Sequence, residues 1–186
     1  MKNNVLIIDG KRTPVGSFNG GLSSVPAPEL GAVVIKELIK SSGIEPSQIS
    51  EVIMGNVLSA GLGQAPARQA ALKAELRNSV ECLTINKMCG SGLKSTMLAM
   101  QSIQIGDAKS VIAGGMENMS SSPYLLPKVR SGYRLGHGEI IDSIITDGLW
   151  DAYHDKHMGS CAEMLAEKKN ISREEQDQFA EHSYIK

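Results

Sequence analysis

Residues 83–93 read L-T-I-N-K-M-C-G-S-G-L, and the cysteine of that run, Cys89, is the side chain with the most chemistry open to it. An apolar strand is expected to end near Asn86 and a helix to begin within a few residues, which puts the thiol at a strand-to-helix junction. Backbone N–H groups at a helix start have no intrahelical acceptors and carry the positive end of the dipole. A thiol there is expected to favour the thiolate, with a lowered pKa, and to be the better nucleophile at neutral pH. Gly90 and Gly92 remove side chains that would obstruct an approaching carbonyl compound, and the N–H of Cys89 is placed to donate to the oxyanion formed on attack. The geometry is like the strand-turn-helix elbow of other nucleophilic enzymes. A plainer reading of the same residues treats Cys89 as a small buried hydrophobe and the glycines as packing devices.

Other reactive residue types carry less. Cys82 lies within an expected strand and Cys161 within an expected helix. The three cysteines show no C-x-x-C spacing, and only His154 and His157 stand close enough in sequence to pair, so no structural zinc is expected. Gly61 and Gly63 sit in G-L-G-Q-A-P, where Pro66 falls at the third glycine of a dinucleotide turn, so a Rossmann cofactor site is excluded. Glu117 and Asn118 follow an expected strand end, where sites of α/β proteins gather, but no proton transfer can be assigned to them. Lys128, Arg130 and Arg134 are interleaved with Ser, Gly and Tyr, which reads as a solvated loop rather than a nucleic-acid footprint.

The elements that must position Cys89 follow from periodicity. Short apolar runs at Val5 to Ile8, Val52 to Met54, Cys82 to Ile85 and Val111 to Ala113 have strand length and alternate with helical stretches. This pattern predicts an α/β fold with a mostly parallel sheet covered by helices on both faces. A first helix opens at Pro28, repeats Leu30, Val34 and Leu38, and stops at Gly43; a second covers Ala65 to Glu75. A third starts at about Cys89, with Leu93, Met97, Met100 and Ile103 on one stripe, and the further apolar residues Leu98, Ala99 and Ile105 predict burial on more than one side. From about Met119 a Ser-, Pro- and Gly-rich stretch shows little periodicity and reads as a functional loop or an inserted subdomain. Helix returns at Met158 to Lys169. Ser172 with Glu175 then makes a capping box that opens a last helix, still running at Lys186, so the sequence ends as though cut.

With 186 residues, 41% hydrophobic, 21% charged and a net charge of −1, the chain has length for a core and no bias toward disorder or polyanions. No segment approaches a membrane span and the apolar run near the N-terminus is too short for a signal peptide, so a cytoplasmic protein with neither membrane nor nucleic-acid partner is expected.

The run N-K-M-C-G-S-G-L-K-S is similar to the acyl-enzyme signature of thiolases. Four further segments agree in order and spacing: D-G-K-R-T-P-V-G-S-F, G-N-V-L-S-A-G-L-G-Q-A-P-A-R-Q-A, A-G-G-M-E-N-M-S-S-S-P-Y and D-G-L-W-D-A-Y-H-D-K-H-M-G. The resemblance spans nearly the whole chain. It implies that Cys89 is acylated by acyl-CoA and that the thioester is attacked by the enolate of a second acyl-CoA or, in reverse, by free CoA, with ping-pong kinetics. It also implies that Leu149, His157 and Met158 line the CoA and acyl pocket, and that no cofactor is needed beyond the CoA thioester itself. Cys161 does not match the family's second catalytic cysteine.

The implied fold is the first half of a duplicated α/β architecture. Residues 1–118 correspond to an incomplete N-terminal domain and 119–186 to the start of an inserted loop domain. The family's base and second cysteine lie in G-H-P and C-x-G segments of a C-terminal half, which this sequence lacks, as it does the strand and helix that return from the insertion. The resemblance therefore implies an acetyl-CoA C-acetyltransferase of fatty acid metabolism that is inactive alone, with a homo-oligomer expected and the apolar helix surface that meets the second half left exposed. The alternative is a non-catalytic fragment that docks on a separate C-terminal half; a neighbouring reading frame with G-H-P and C-x-G would favour a split enzyme. A ketoacyl synthase is disfavoured by the flanks at 55–70 and 114–124. Acyl chain length stays open.

Overall fold

The alternation of apolar runs with helical stretches folds into a parallel three-stranded sheet between helical layers. The computed structural model describes residues 4–186, which divide into two units, one reaching to Ile144 and one spanning Ile145–Lys186. In the first, helix α1 (Ala27–Ser42) precedes strand β1 (Glu51–Gly55), helix α2 (Pro66–Lys73), strand β2 (Glu81–Ile85), helix α3 (Ser91–Ile105) and strand β3 (Val111–Gly115). The strand order is β2-β1-β3, with Glu51 in register with both Glu81 and Val111.

The central strand β1 is a continuous apolar run because both of its faces are covered. Alternation sends Val52 and Met54 to one face, where they join Ala32 and Ile35 of α1 and Ala67, Ala70 and Ala71 of α2 in the main core. Ile53 and Gly55 face the other way, where α3 packs on β1 and β3. The α/β class expected from the sequence is thus the fold observed.

Three local expectations are corrected. Val5 to Ile8 forms no strand: Leu6, Ile7 and Ile8 are exposed, and none of the four pairs with a described strand. β-propensity reflects packing and a hydrogen-bonded neighbour, so an apolar run without one stays merely extended. In α1 the buried stripe is Ala27, Pro28, Gly31, Ala32 and Ile35, while the periodic Leu30, Val34 and Leu38 are half-buried. The small face wins because it admits close approach: a Cβ on Gly31 would lie 2.7 Å from Met116 Sδ and 3.2 Å from Ala70 Cβ. In α3 the buried residues are Ser91, Ser95 and Ala99, while Leu93 and Ile105 are 71% and 79% exposed, so the helix is covered on one side only. The helix opens at Ser91 rather than Cys89.

The extended N-terminal segment is moored by Asp9. Its carboxylate accepts from the Ser41 hydroxyl at the end of α1, from the Gly10 N–H at 2.7 Å, and from Lys11 Nζ at 3.2 Å. These contacts, the Ser41 bond foremost, lower its pKa from 3.8 to about 2. A depressed carboxyl favours the folded arrangement above its unfolded value, and that contribution is lost as pH falls through the folded one. The mooring is thus complete at neutral pH and released between 3.8 and about 2. A carbon-13 titration of the Asp9 carboxyl is expected to show its midpoint near 2, and Asp9→Asn to speed tryptic cleavage at Lys11 and Arg12.

Residues 119–144 pack with the sheet-bearing unit: Asn19 N–H donates to Ser120 Oγ at 2.9 Å, and β4 (Tyr124–Leu125) pairs antiparallel with β5 (Ile141–Asp142). A π-helical turn, Ile144–Leu149, starts at the last residue of the first unit and leads into the hairpin of β6 (Trp150–Asp151) and β7 (Lys156–His157), then α4 (Met158–Lys169) and α5 (Arg173–Ile185) of the second. Asn170 ends α4 in the left-handed region at φ 52°, and the Ser172/Glu175 capping box opens α5 as expected. Among the described residues no helix is long and apolar enough to cross a membrane.

Candidate active site

The chain between β2 and α3 is a tight turn built by short-range hydrogen bonds. Asn86 Oδ1 accepts from the Met88 N–H at 2.9 Å, an Asx turn that holds Met88 in the left-handed region at φ 49°. Gly90 N–H donates to Lys87 O at 3.1 Å and Ser91 N–H to Met88 O at 3.0 Å. The Ser91 hydroxyl closes the turn, accepting from the Lys87 N–H at 2.9 Å and donating to Met88 O at 2.6 Å. Cys89 sits at the crest, two residues before the first residue of α3, and is exposed to solvent. The backbone strain of this elbow therefore falls on Met88, while Cys89 stands just before the first turn of α3, at the positive end of its dipole.

The first turn of α3 rests on the carboxyl ends of the sheet. A Cβ on Gly55 would lie 2.5 Å from Ser91 Cβ and 2.8 Å from Ser91 C, and the Cβ position of Gly115 is 3.6 Å from Gly92 Cα. Ser95, fully buried, shares its hydroxyl proton between Gly92 O at 2.6 Å and Gly114 O at 2.8 Å, tying the helix to β3. Ser95→Ala is expected to cost about 1–2 kcal/mol in urea unfolding, the worth of a buried hydroxyl that satisfies carbonyls. Sequence reasoning missed this serine. Its signal was the spacing Ser91, Ser95, Ala99, small residues every four positions in a helix whose apolar residues lie elsewhere.

Glu117 and Asn118 hold loops at the same edge. Glu117 Oε1 accepts from Asn56 Nδ2 at 2.9 Å and Leu58 N–H at 3.1 Å, and Oε2 from Val57 N–H at 2.8 Å. Asn118 Nδ2 donates to Val25 O at 2.7 Å and Ser23 O at 3.0 Å.

The remaining cysteines are differently placed. Cys82 is half-buried in β2, and desolvation raises its pKa against the opposing influence of Arg68, which disfavours a thiolate. Cys161 lies in α4, in the other unit. Among the described residues no hydrogen-bonding side chain reaches the sulfur of Cys89, and no three of His, Cys, Asp and Glu gather as metal ligands.

Leu149, His157 and Met158 come together in the second unit. Leu149 precedes β6, whose Trp150 pairs with His157, and Met158 opens α4. His157 Nδ1 accepts from Gly159 N–H at 2.9 Å and so caps α4. In a neutral imidazole that leaves the proton on Nε2, aimed away from the cap and able to donate. Nearby, the Asp151 carboxyl is held below its usual range by the Tyr153 N–H and then by His154.

A family model described as "Thiolase, N-terminal domain" matches residues 5–186. The chain is 55% identical over 182 residues to an acetyl-CoA acetyltransferase of Pseudomonas aeruginosa, covering 98% of this chain and 46% of that protein. It is 56% identical to proteins of the same name from Cupriavidus necator, over 176 residues, and Escherichia coli, over 184, covering 95% and 98% of this chain and 45% and 47% of theirs. The chain thus spans about half the length of the curated relatives it matches.

Proposed function

Because the chain belongs to the thiolase family, we propose that it is the acyl-accepting portion of an acetyl-CoA C-acetyltransferase, with Cys89 as the residue that carries the acetyl group. The observation that supports this best is an exposed thiol on a tight turn at the start of α3. In the proposed reaction the Cys89 thiolate adds to the thioester carbonyl of acetyl-CoA, and the N–H of Cys89 itself donates to the oxyanion. The tetrahedral adduct then collapses with loss of CoA thiolate, leaving an S-acetyl cysteine. The enolate of a second acetyl-CoA displaces the cysteine to give acetoacetyl-CoA; free CoA acting on acetoacetyl-CoA runs the sequence backwards.

Leu149, His157 and Met158 are proposed to hold the CoA and acyl chain, with His157 Nε2–H as donor rather than base, since Nδ1 is committed to the cap of α4. No cofactor beyond the CoA thioester enters this reading. The assignment of residues 119–186 to the start of an inserted loop domain, a cytoplasmic location and a homo-oligomer are further parts of the proposal. A second reading, a non-catalytic half that docks on a separate C-terminal half, is favoured by the exposed apolar face of α3 formed by Leu93, Met97 and Met100.

The test is mass spectrometry after incubation with S-phenyl thioacetate, whose good leaving group reduces the need for a base. One acetyl group is expected on the peptide that contains Cys89 and on no peptide of Cys89→Ala. Acetylation spread equally over Cys82 and Cys161 would overturn the assignment.

A further inference from the structure

Glu117 follows the edge strand β3, and its carboxylate is spent entirely on the segment that follows the central strand. Three donors meet it, Asn56 Nδ2, Val57 N–H and Leu58 N–H, at 2.8 to 3.1 Å. Among the described residues no cation pairs with it. Asn56 is 2% exposed, and its amide also donates to Met116 O at 3.1 Å. The Asn56 N–H donates to Ile85 O at 3.0 Å, and Met116 N–H to Gly55 O at 2.9 Å. One carboxylate and one side-chain amide therefore lock the ends of β1 and β3 together, and the backbone N–H of Asn56 ties the same point to the end of β2.

That lock sits directly under the nucleophile's turn. Gly55 and Gly115, the residues before Asn56 and Met116, are the two that Ser91 and Gly92 rest on, and Ile85 is the last strand residue before the turn to Cys89. Asn56 Oδ1 is buried with no partner among the described residues. An unsatisfied buried oxygen costs stability, so a side chain present only to fill space would not need an amide here. What the amide supplies is its donors, shared between Met116 and Glu117.

We propose that Glu117, acting through Asn56, is a positioning residue for acyl transfer: it sets the bed of strand ends on which the first turn of α3, and with it the Cys89 sulfur and its oxyanion donors, is held. The proposal rests on the reading of Cys89 as the acyl carrier. Addition to a carbonyl requires sulfur and oxyanion donors in a fixed mutual geometry, whereas alkylation requires only an accessible thiolate.

The experiment measures two rates at Cys89 in the 186-residue chain: acetylation by S-phenyl thioacetate and alkylation by iodoacetamide. In Glu117→Ala, acetylation is expected to fall roughly tenfold or more while alkylation stays within about threefold of the parent. Glu117→Gln is isosteric and keeps one oxygen toward Asn56 and Leu58, so it is expected to fall between; if the alanine variant does not fold, the ratio of rates in Glu117→Gln decides. Equal acetylation in parent and variants overturns the proposal and leaves the Cys89 reading standing. The two rates changing in step with thermal stability also overturns it, since that marks a purely structural role. A parent chain that is alkylated but never acetylated at Cys89 overturns both.

Discussion

The 186-residue chain is expected to accept one acetyl group at Cys89 and then stop. Positioned acid-base groups contribute typically about 10²–10⁴-fold each to such chemistry. Cys89 has no hydrogen-bonded base among the described residues, Cys82 is held toward its thiol form, and His157 Nδ1 is occupied by the α4 cap. The first half-reaction with an activated thioester needs only the sulfur and oxyanion donors. The second needs an α-proton removed from the incoming acetyl-CoA or, in thiolysis, a proton delivered to the departing acetyl-CoA enolate, and nothing at the turn does either. Steady-state thiolysis of acetoacetyl-CoA is therefore expected to fall at least about 10⁴-fold below that of a full-length relative. Electrospray mass spectrometry should nonetheless show stoichiometric acetylation by S-phenyl thioacetate. Turnover by this chain within tenfold of a full-length relative would mean that a base within residues 4–186 serves Cys89. Cys89→Ser is expected to remain unlabelled on the same timescale, because an alcohol at this turn stays protonated.

What the sequence revealed, and what it hid, divides by range of interaction. The strands β1, β2 and β3, the helix at Met158–Lys169 and the Ser172/Glu175 box are written in local signals, and each was legible. Gly43 ends α1 as expected, in the left-handed region at φ 68°. The fate of Val5 to Ile8 was not legible, since strand formation depends on a neighbour that no local pattern specifies. Nor was the orientation of α1 and α3: in both, the face that packs carries small residues, Gly31 and Ala32 in one, Ser91 and Ser95 in the other. Apolar periodicity pointed to larger side chains nearby, because it measures hydrophobicity and not closeness of approach. Glu117 and Asn118 stood out as strand-end residues, but their partners lie 59 to 96 residues away. Only the fold shows that they hold backbone in place instead of moving protons.

The close seat of α3 on the sheet makes Gly55→Ala the most disruptive small substitution. The new methyl would come within 2.5 Å of Ser91 Cβ, 2.8 Å of Ser91 C and 3.0 Å of Gly92 N. Two of these three are backbone, so no rotamer change relieves the clash, and either the first turn of α3 lifts or β1 is pushed back. Overpacking of this kind costs typically about 1–3 kcal/mol, and contact with backbone places the expected loss near the upper end, about 3 kcal/mol in urea unfolding. Because the displaced turn carries Cys89, acetylation by S-phenyl thioacetate should drop as well. Gly92→Ala is the counterpart: its Cβ would meet Gly115 N at an ordinary 3.8 Å, in a helical residue without positive φ. There the methyl is expected to leave stability unchanged or raise it by up to about 1 kcal/mol, through the helix preference of alanine over glycine. If Gly92 also keeps the approach to Cys89 open, Gly92→Ala slows acetylation while the protein becomes no less stable. The two glycines would then separate cleanly, one needed for packing under the turn and the other for access above it.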